Sequence, residues 1–292
     1  TISLNLRHMS NARSFCERVG SLYDPEADRK QVIFLVGDGD GGKSMLINLL
    51  TMLAGGPACV ASVSMSVFSP FGYAPLLDKR VWLAEELSPK FFRNDKSKEL
   101  TGGSPVEINR KNEKQFSAYL TGMLFCASNK TPEILDDTGL KNRLIICEVE
   151  SIPNEMRLRR DETEKRMRSE LPFFIRYCID AYAKVGGNGT LIPDTTGRLE
   201  SIIEENEQDV SVIFEQYFTE DLGALGMHAR VDAQEFQRIW EKISYENPAF
   251  AKSNTRKTFN NYVKKRLGRK SLLINCKIRG KSQKMVTGLR VK

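Results

Sequence analysis

Histidine is almost missing from this chain of 292 residues: only His8 and His228 occur, far apart and away from any cysteine cluster. A histidine-bearing zinc site or a His-dependent nucleophile triad therefore has almost no material to be built from. The six cysteines (Cys16, Cys59, Cys126, Cys147, Cys178, Cys276) include no C-x-x-C pair. Three of them sit in or beside apolar runs that read as strands, so reduced, buried thiols are expected. Long apolar runs are absent too. The nearest, Val32 to Val36, has five residues, against roughly 18 for a span, so no membrane protein is expected. The chain opens on Thr1, with no basic segment followed by an apolar stretch; the expectation is a cytoplasmic protein without a secretory signal, cut from something longer. A metal, if used, is expected to be magnesium.

What is present describes a globular chain of about two domains, with 40% hydrophobic and 28% charged residues. The net charge of +7 hides an asymmetry. From Ala251 to Lys292 there are 14 Lys or Arg and no acid, which leaves 30 basic against 37 acidic residues before Ala251. A polyanion partner is the expected reason for such a tail, and a solvated basic face is the plainer alternative.

A helix is expected from Ser10 to Leu22, and then a continuous apolar strand from Gln31 to Val36 of the kind covered on both faces in a parallel sheet. Lys43 to Ala54 reads as a helix stopped by Gly55-Gly56. Further strands are expected at Val81 to Ala84, Gly122 to Ser128 and Leu144 to Val149. The fold class is therefore α/β, a doubly wound, mostly parallel sheet over residues 25–150, preceded by a helical segment over 1–24. Residues 151–226 read as a helical connector: an exposed, charge-paired helix from Asn154 to Ser169, an apolar helix from Leu171 to Val185, and a third helix from Thr196 to Asp221. Over 227–292 come a helix (Asp232 to Glu246), a turn at Asn247-Pro248, a basic helix (Ser253 to Leu267) and two strands, Leu272 to Ile278 and Lys284 to Val291, around the turn at Arg279 to Ser282. That is the layout of a winged helix-turn-helix.

Gly37-Asp38-Gly39-Asp40-Gly41-Gly42-Lys43-Ser44 matches G-x-x-x-x-G-K-[ST], placed after a strand and opening a helix. Glycines there let backbone N–H groups converge on phosphate oxygens, Lys43 reaches the terminal phosphates, and Ser44 offers a hydroxyl to Mg²⁺. The cofactor expected is ATP, held by Gly37 to Met45. Val81-Trp-Leu-Ala-Glu85-Glu86 ends a strand in two carboxylates; Glu85 can hold magnesium through water while Glu86 polarises the attacking water. Asn129 ends another strand ahead of Pro132, where it either orients that water or simply favours the turn. Arg143 begins the next strand, as either a salt-bridge partner or a catalytic arginine reaching a neighbouring subunit.

These four elements, in this order, resemble the superfamily 3 helicases, specifically the primase-helicase branch of phages, plasmids and large DNA viruses. The most distinctive piece is Lys98-Glu-Leu-Thr-Gly102-Gly103-Ser104-Pro-Val-Glu-Ile-Asn-Arg110-Lys111-Asn-Glu-Lys114. It looks like the family's hairpin that projects into the channel of a hexameric ring, which would make Arg110, Lys111 and Lys114 DNA contacts. The resemblance implies an AAA+-like ATPase core, a homo-hexamer, 3′ to 5′ translocation on single-stranded or forked DNA, and a primase or polymerase module ahead of this segment. In the basic tail, Arg256, Lys257, Lys264, Lys265 and Arg269 are the expected DNA contacts. A DNA-binding initiator or loader that does not unwind, and a small-molecule P-loop kinase, are the alternatives.

Overall fold

A computed structural model describes residues 2–134, 138–186, 191–192, 194–220, 229–253, 256–268, 272–278 and 281–292. The chain divides into two compact units, Thr1–Ile203 and Glu204–Lys292.

The first unit opens with helices α1 (Ile2–Arg7) and α2 (Ala12–Gly20), then strand β1 (Val32–Val36), helix α3 (Lys43–Leu53), and strands β2 (Val60–Ser62) and β3 (Val81–Glu85). Helix α4 (Asp95–Leu100) leads to the strands β4 (Val106–Ile108) and β5 (Phe116–Ala118), followed by β6 (Met123–Ser128), the single turn α5 (Thr138–Lys141), β7 (Leu144–Glu148), the long helix α6 (Arg160–Val185), and the start of α7 (Arg198–Tyr217). Five strands form one sheet in the order β2-β3-β6-β1-β7, every neighbouring pair parallel. The register sets Val36 beside both Ser128 and Glu148, and Glu85 beside Ala127, so the C-terminal ends of β1, β3, β6 and β7 come out along one edge.

Both faces of the sheet are covered, as the unbroken apolar strands require. Ile33 and Leu35 face one core with Phe15, Leu46, Leu50, Phe174 and Cys178, while Val32, Phe34 and Val36 face another with Trp82, Phe91, Leu100, Leu199 and Ile202. The α/β sheet expected over 25–150 is therefore present. It has one further strand, β2, whose three residues carry too little pattern to be recognised from sequence.

The compact unit is wider than the core drawn at 25–150. The N-terminal segment is stitched to the β7 edge: Ser10 N–H donates to Glu148 O (2.9 Å), Glu150 N–H to His8 O (2.9 Å), and the Asn11 amide to Ile146 O (2.6 Å). The buried Arg18 guanidinium donates to the carbonyls of Asp28 and Gln31, tying α2 to the entry of β1. Burial pushes its pKa down to about 9, still well above neutrality, so it remains a cation. After the sheet, the two helices expected at Asn154 to Ser169 and Leu171 to Val185 are one helix, α6, running through Pro172. Proline removes one intrahelical bond, but Met167, Phe174, Cys178 and Tyr182 bury one continuous face and the Arg166–Glu162, Arg168–Glu164 and Arg176–Asp180 pairs brace the other. Packing on both sides of the proline keeps the helix whole.

The second unit takes the remainder of α7, then β8 (Phe218–Glu220), β9 (Arg230–Asp232), α8 (Ala233–Glu246), α9 (Pro248–Ser253), α10 (Arg256–Arg266), β10 (Ile274–Ile278), β11 (Lys281–Thr287) and β12 (Leu289–Val291). Strands β10, β11 and β9 make an antiparallel sheet, and β12 pairs with β8. Its own core is aromatic: Phe214, Phe218, Phe236, Phe259 and Trp240 stack and tilt against one another. The expected turn at Asn247-Pro248 starts the short helix α9 instead, a place that suits proline because its missing N–H is not needed there. The expected single strand from Lys284 is two, β11 and β12, broken at Gly288 (φ +89°). Of the turn expected at Arg279 to Ser282, Arg279 and Gly280 lie outside the described residues, and Lys281 and Ser282 belong to β11.

Among the described residues no helix is long and apolar enough to cross a membrane. Cys16, Cys126, Cys147 and Cys178 are buried free thiols and Cys59 a partly buried one; burial pushes the Cys126 and Cys147 thiols up, away from reactivity.

Candidate nucleotide site

The turn from β1 into α3 is built by its glycines. Gly42 caps α3 at φ +83°, and a Cβ there would come within 2.2 Å of Asn5 Oδ1; a Cβ on Gly41 would come within 3.1 Å of the Val149 and Glu150 carbonyls. Asp40 also takes a left-handed φ of +63°, which Asp tolerates better than most residues. The loop thus lies flat against neighbouring backbone and offers the first N–H groups of α3 to the space above it.

That space is a cavity of about 470 Å³. The loop from Gly39 to Met45 forms its floor, and Glu85, Glu86 and Asn129, from the ends of β3 and β6, form one wall. Leu4, Ile152, Met156 and Leu158 add an apolar part to the lining, together with Asn5, Arg157 and Thr163. Gly37 and Asp38 line a separate hollow that shares Asn129. Lys43 extends back over its own loop, its ammonium donating to the carbonyls of Gly37 (2.7 Å) and Asp38 (2.6 Å). Desolvation pushes the Lys43 pKa down while Asp38 and Asp40 pull it up. Glu86 sits at φ +51°, a conformation that costs about 1–3 kcal/mol for a residue of its kind and gathers at functional turns.

The lining includes three oxygen-bearing groups able to ligate a hard cation, the Ser44 hydroxyl and the Glu85 and Glu86 carboxylates. That set suits Mg²⁺, which takes one or two carboxylates and leaves the rest of its shell to water and phosphate. Among the described residues there is no cluster of three or more His, Cys, Asp or Glu able to cage a metal alone.

Of the lining residues from outside the motifs, two make polar side-chain contacts with the loop from Gly39 to Met45. Arg157 pairs with Asp40 (Nη1 to Oδ2, 3.1 Å), and its Nε donates to Ile152 O (2.7 Å), bringing a second cation to the glycine loop. Asn5 comes from α1 and donates its amide to Met45 Sδ (3.3 Å). Neither carries a local signal, because each is brought in by a segment packed against the sheet from beyond the motif-bearing stretch.

Arg143 is not in this cavity. It precedes β7, whose first residue pairs with the first residue of β1, so it lies at the opposite edge of the sheet. A five-residue strand at about 3.3 Å per residue separates the two edges by roughly 17 Å. There its guanidinium donates to Lys98 O (3.0 Å) and Thr101 Oγ1 (3.3 Å). Asp136 and Asp137, which precede it in sequence, lie outside the described residues.

The segment between α4 and β6 is a two-stranded antiparallel hairpin, Ile108 paired with Phe116 and Val106 with Ala118. Arg110, Lys111 and Lys114 all stand exposed in its connecting loop. Arg110 leans on Glu113 (3.6 Å) and over the Phe116 ring (5.5 Å), and Tyr119 just beyond β5 is 66% exposed. In the second unit Arg256 and Lys265 are exposed and Lys264 half-buried; the Lys257 side chain and the whole of Arg269 lie outside the described residues. Arg266, next in line, is committed to Glu220 and Glu215, and the bond to Glu220 raises its pKa.

The fold is similar to that of the C-terminal region of NrS-1. Three structures of that region align with 94–98% of this chain and 70–75% of their own: one apo structure at TM-score 0.55 and 14% identity, and two A-form apo structures at 0.51 and 0.53, each at 15% identity. At such identity the likeness is one of fold. A family of unknown function, DUF5906, matches residues 35–143, the stretch from the end of β1 to Arg143. No curated protein matches the chain.

Proposed function

We propose that this chain is an ATP-dependent DNA helicase motor, with a P-loop ATPase core of AAA+ type and a winged-helix-like second unit. The observation that carries the reading is the convergence of Lys43, Ser44, Glu85, Glu86 and Asn129, from three separate sequence motifs, on one cavity at the C-terminal edge of a parallel sheet. Open α/β sheets bind their ligands at that edge.

In this reading the triphosphate lies on the loop from Gly37 to Ser44, and the base rests against Leu4, Ile152, Met156 and Leu158. Lys43 leaves its two carbonyls for the terminal phosphates, since the charged phosphate is the stronger partner. Ser44 and Glu85 would hold Mg²⁺, which supplies charge neutralisation at the phosphates. Glu86 accepts the proton of the attacking water, and Asn129 orients that water. Arg157 exchanges Asp40 for a phosphate oxygen. The exposed cations of the hairpin loop favour a motor over a small-molecule kinase, because a kinase has no use for them and a strand of DNA does.

Arg143, at the far edge of the sheet, is proposed to serve the site of an adjacent subunit in a hexameric ring, with a primase or polymerase module carried elsewhere in the intact protein. The deciding experiment is the rate of ATP hydrolysis with and without single-stranded DNA, followed by unwinding of a fork and a mass measurement with ATP and Mg²⁺. Hydrolysis indifferent to DNA contradicts the motor reading, and hydrolysis stimulated by DNA without unwinding supports a loader.

A further inference from the structure

A further concavity, of about 450 Å³, is lined by Tyr23, Arg29, Asp78, Lys79, Arg80 and Thr121 among others. It lies at the opposite end of β3 from Glu85: Arg80 immediately precedes that strand, about 17 Å along the chain axis from the nucleotide edge. The site is held firmly. Arg80 N–H donates to Cys59 O (3.1 Å) and its carbonyl accepts from Met123 N–H (3.1 Å), which anchors its backbone between two neighbouring chain segments.

Its cations are unbalanced. Lys79 Nζ donates to Ala58 O (2.7 Å) and Arg29 Nη2 to Asp24 O (2.9 Å), so both rest on neutral carbonyls. None of Arg29, Lys79 and Arg80 forms an ion pair with a carboxylate among the described residues. Arg29 is half-buried, and its pKa is pushed down by burial and then by the charge of Arg80, with Asp24 opposing. Three cations against the lining carboxylate of Asp78 and that of Asp24 beside Arg29 leave the concavity positive by one charge, and bringing two guanidiniums together costs free energy that an anion between them would recover. Thr121 adds a hydroxyl to the lining, while Tyr23, whose own hydroxyl donates to Leu53 O (3.2 Å), contributes its ring.

The hairpin says which phosphate. Thr121 lies three residues past β5, and the exposed Tyr119 stands between, so the foot of the hairpin runs into the rim of this pocket. We propose that the concavity holds a backbone phosphate of the same single strand that meets the hairpin, with Arg80 as the principal ligand and Arg29 and Lys79 flanking it. The assignment rests on the nucleic-acid reading of the hairpin given above, and it places a phosphate contact on a face of the core remote from the nucleotide.

The test uses the full chain with Arg80→Glu, Arg80→Lys as the conservative control, and Lys111→Ala with Lys114→Ala as an independent probe of the hairpin. Binding of a fluorescent oligothymidylate is followed by anisotropy across a salt series, and binding of a fluorescent ATP analogue is measured beside it. Arg80→Glu is expected to weaken DNA binding by about tenfold and to flatten the salt slope by about 0.7 for each phosphate that is no longer neutralised. Arg80→Lys should stay near wild type, and nucleotide affinity and melting temperature should not move. Unchanged affinity and slope in Arg80→Glu, with the hairpin variant impaired, overturns the pocket and leaves the motor reading standing. If the wild-type chain binds no oligonucleotide, the hairpin reading fails, and inorganic phosphate decides the pocket. A phosphate-dependent rise in melting temperature seen in wild type and absent in Arg80→Glu would reassign it to a free anion and overturn the DNA assignment; no rise in either overturns the site altogether.

Discussion

Replacing Arg143 with alanine separates two roles by size alone. Among the described residues of its own chain the Arg143 guanidinium makes two hydrogen bonds, to Lys98 O and Thr101 Oγ1, and charged bonds of that kind are worth about 1.5–3 kcal/mol each at most. As a structural tie, Arg143→Ala therefore costs a few kcal/mol of stability and leaves hydrolysis within a few-fold at temperatures where the fold holds. As a finger in a neighbour's site it contributes about 10³ to 10⁵ in rate, or roughly 4–7 kcal/mol of barrier. The strand length rules out a shorter route: about 17 Å of sheet lies between Arg143 and the phosphate loop of the same chain, longer than an arginine side chain. The expected result is normal binding of an ATP analogue and almost no hydrolysis. The assay that completes it mixes inactive Lys43→Ala protein with inactive Arg143→Ala protein under ring-forming conditions. Interfaces that pair an intact Lys43 with the next chain's intact Arg143 should recover part of the activity. No recovery despite demonstrated mixed rings, or hydrolysis by Arg143→Ala alone at near wild-type rate, would refute the shared-site argument.

Other substitutions probe the remaining parts. Lys43→Ala should weaken nucleotide binding, whereas Glu86→Gln should bind ATP and lose hydrolysis; separate measurements of affinity and turnover check this, and full turnover in Glu86→Gln would move the role to Glu85. Arg157→Ala should raise the Kd for ATP by about tenfold, equivalent to roughly 1.4 kcal/mol for one charge-assisted contact, while Asp40→Asn should lower it by removing a carboxylate that competes with phosphate; calorimetric titration reads both, and no change in either removes the Arg157–Asp40 pair from the site. Arg18→Ala leaves the Asp28 and Gln31 carbonyls without their buried donor and should cost about 2–5 kcal/mol in urea unfolding, with an effect below about 1 kcal/mol counting against that tie. Deleting 232–292 should flatten the salt dependence of DNA binding and leave basal hydrolysis largely intact; an unchanged slope would show the basic tail to be a solvated face.

The α/β sheet and the glycine turn from β1 into α3 are legible in the sequence because their signals are local. An unbroken apolar run at Val32–Val36 suits a strand covered on both sides, and Gly42 at φ +83° before Lys43 is a turn that side-chain-bearing residues resist. The hairpin from Val106 to Ala118 is legible only through family resemblance, since its strands are three residues each. Arg157 and Asn5 are invisible for a different reason. Both reach the cavity from segments that pack on the sheet after or before the motifs, and no spacing rule connects residue 5 or 157 with residue 42.

Local chemistry thus determined, from the sequence by itself, the glycine turn from β1 into α3, the apolar strands and the carboxylates that end β3, because glycine torsions, strand patterning and charge act over a few residues. Only the tertiary structure decided that β1, β3 and β6 finish on one edge, so that Lys43, Glu85 and Asn129 share a cavity, and that Arg143 and Arg80 lie at the other edge. The parallel register of strands far apart in sequence makes that choice. Slipping one pair by a single residue would turn each side chain of that strand to the opposite face, and nothing within a strand's own five or six residues says where its neighbour must stop.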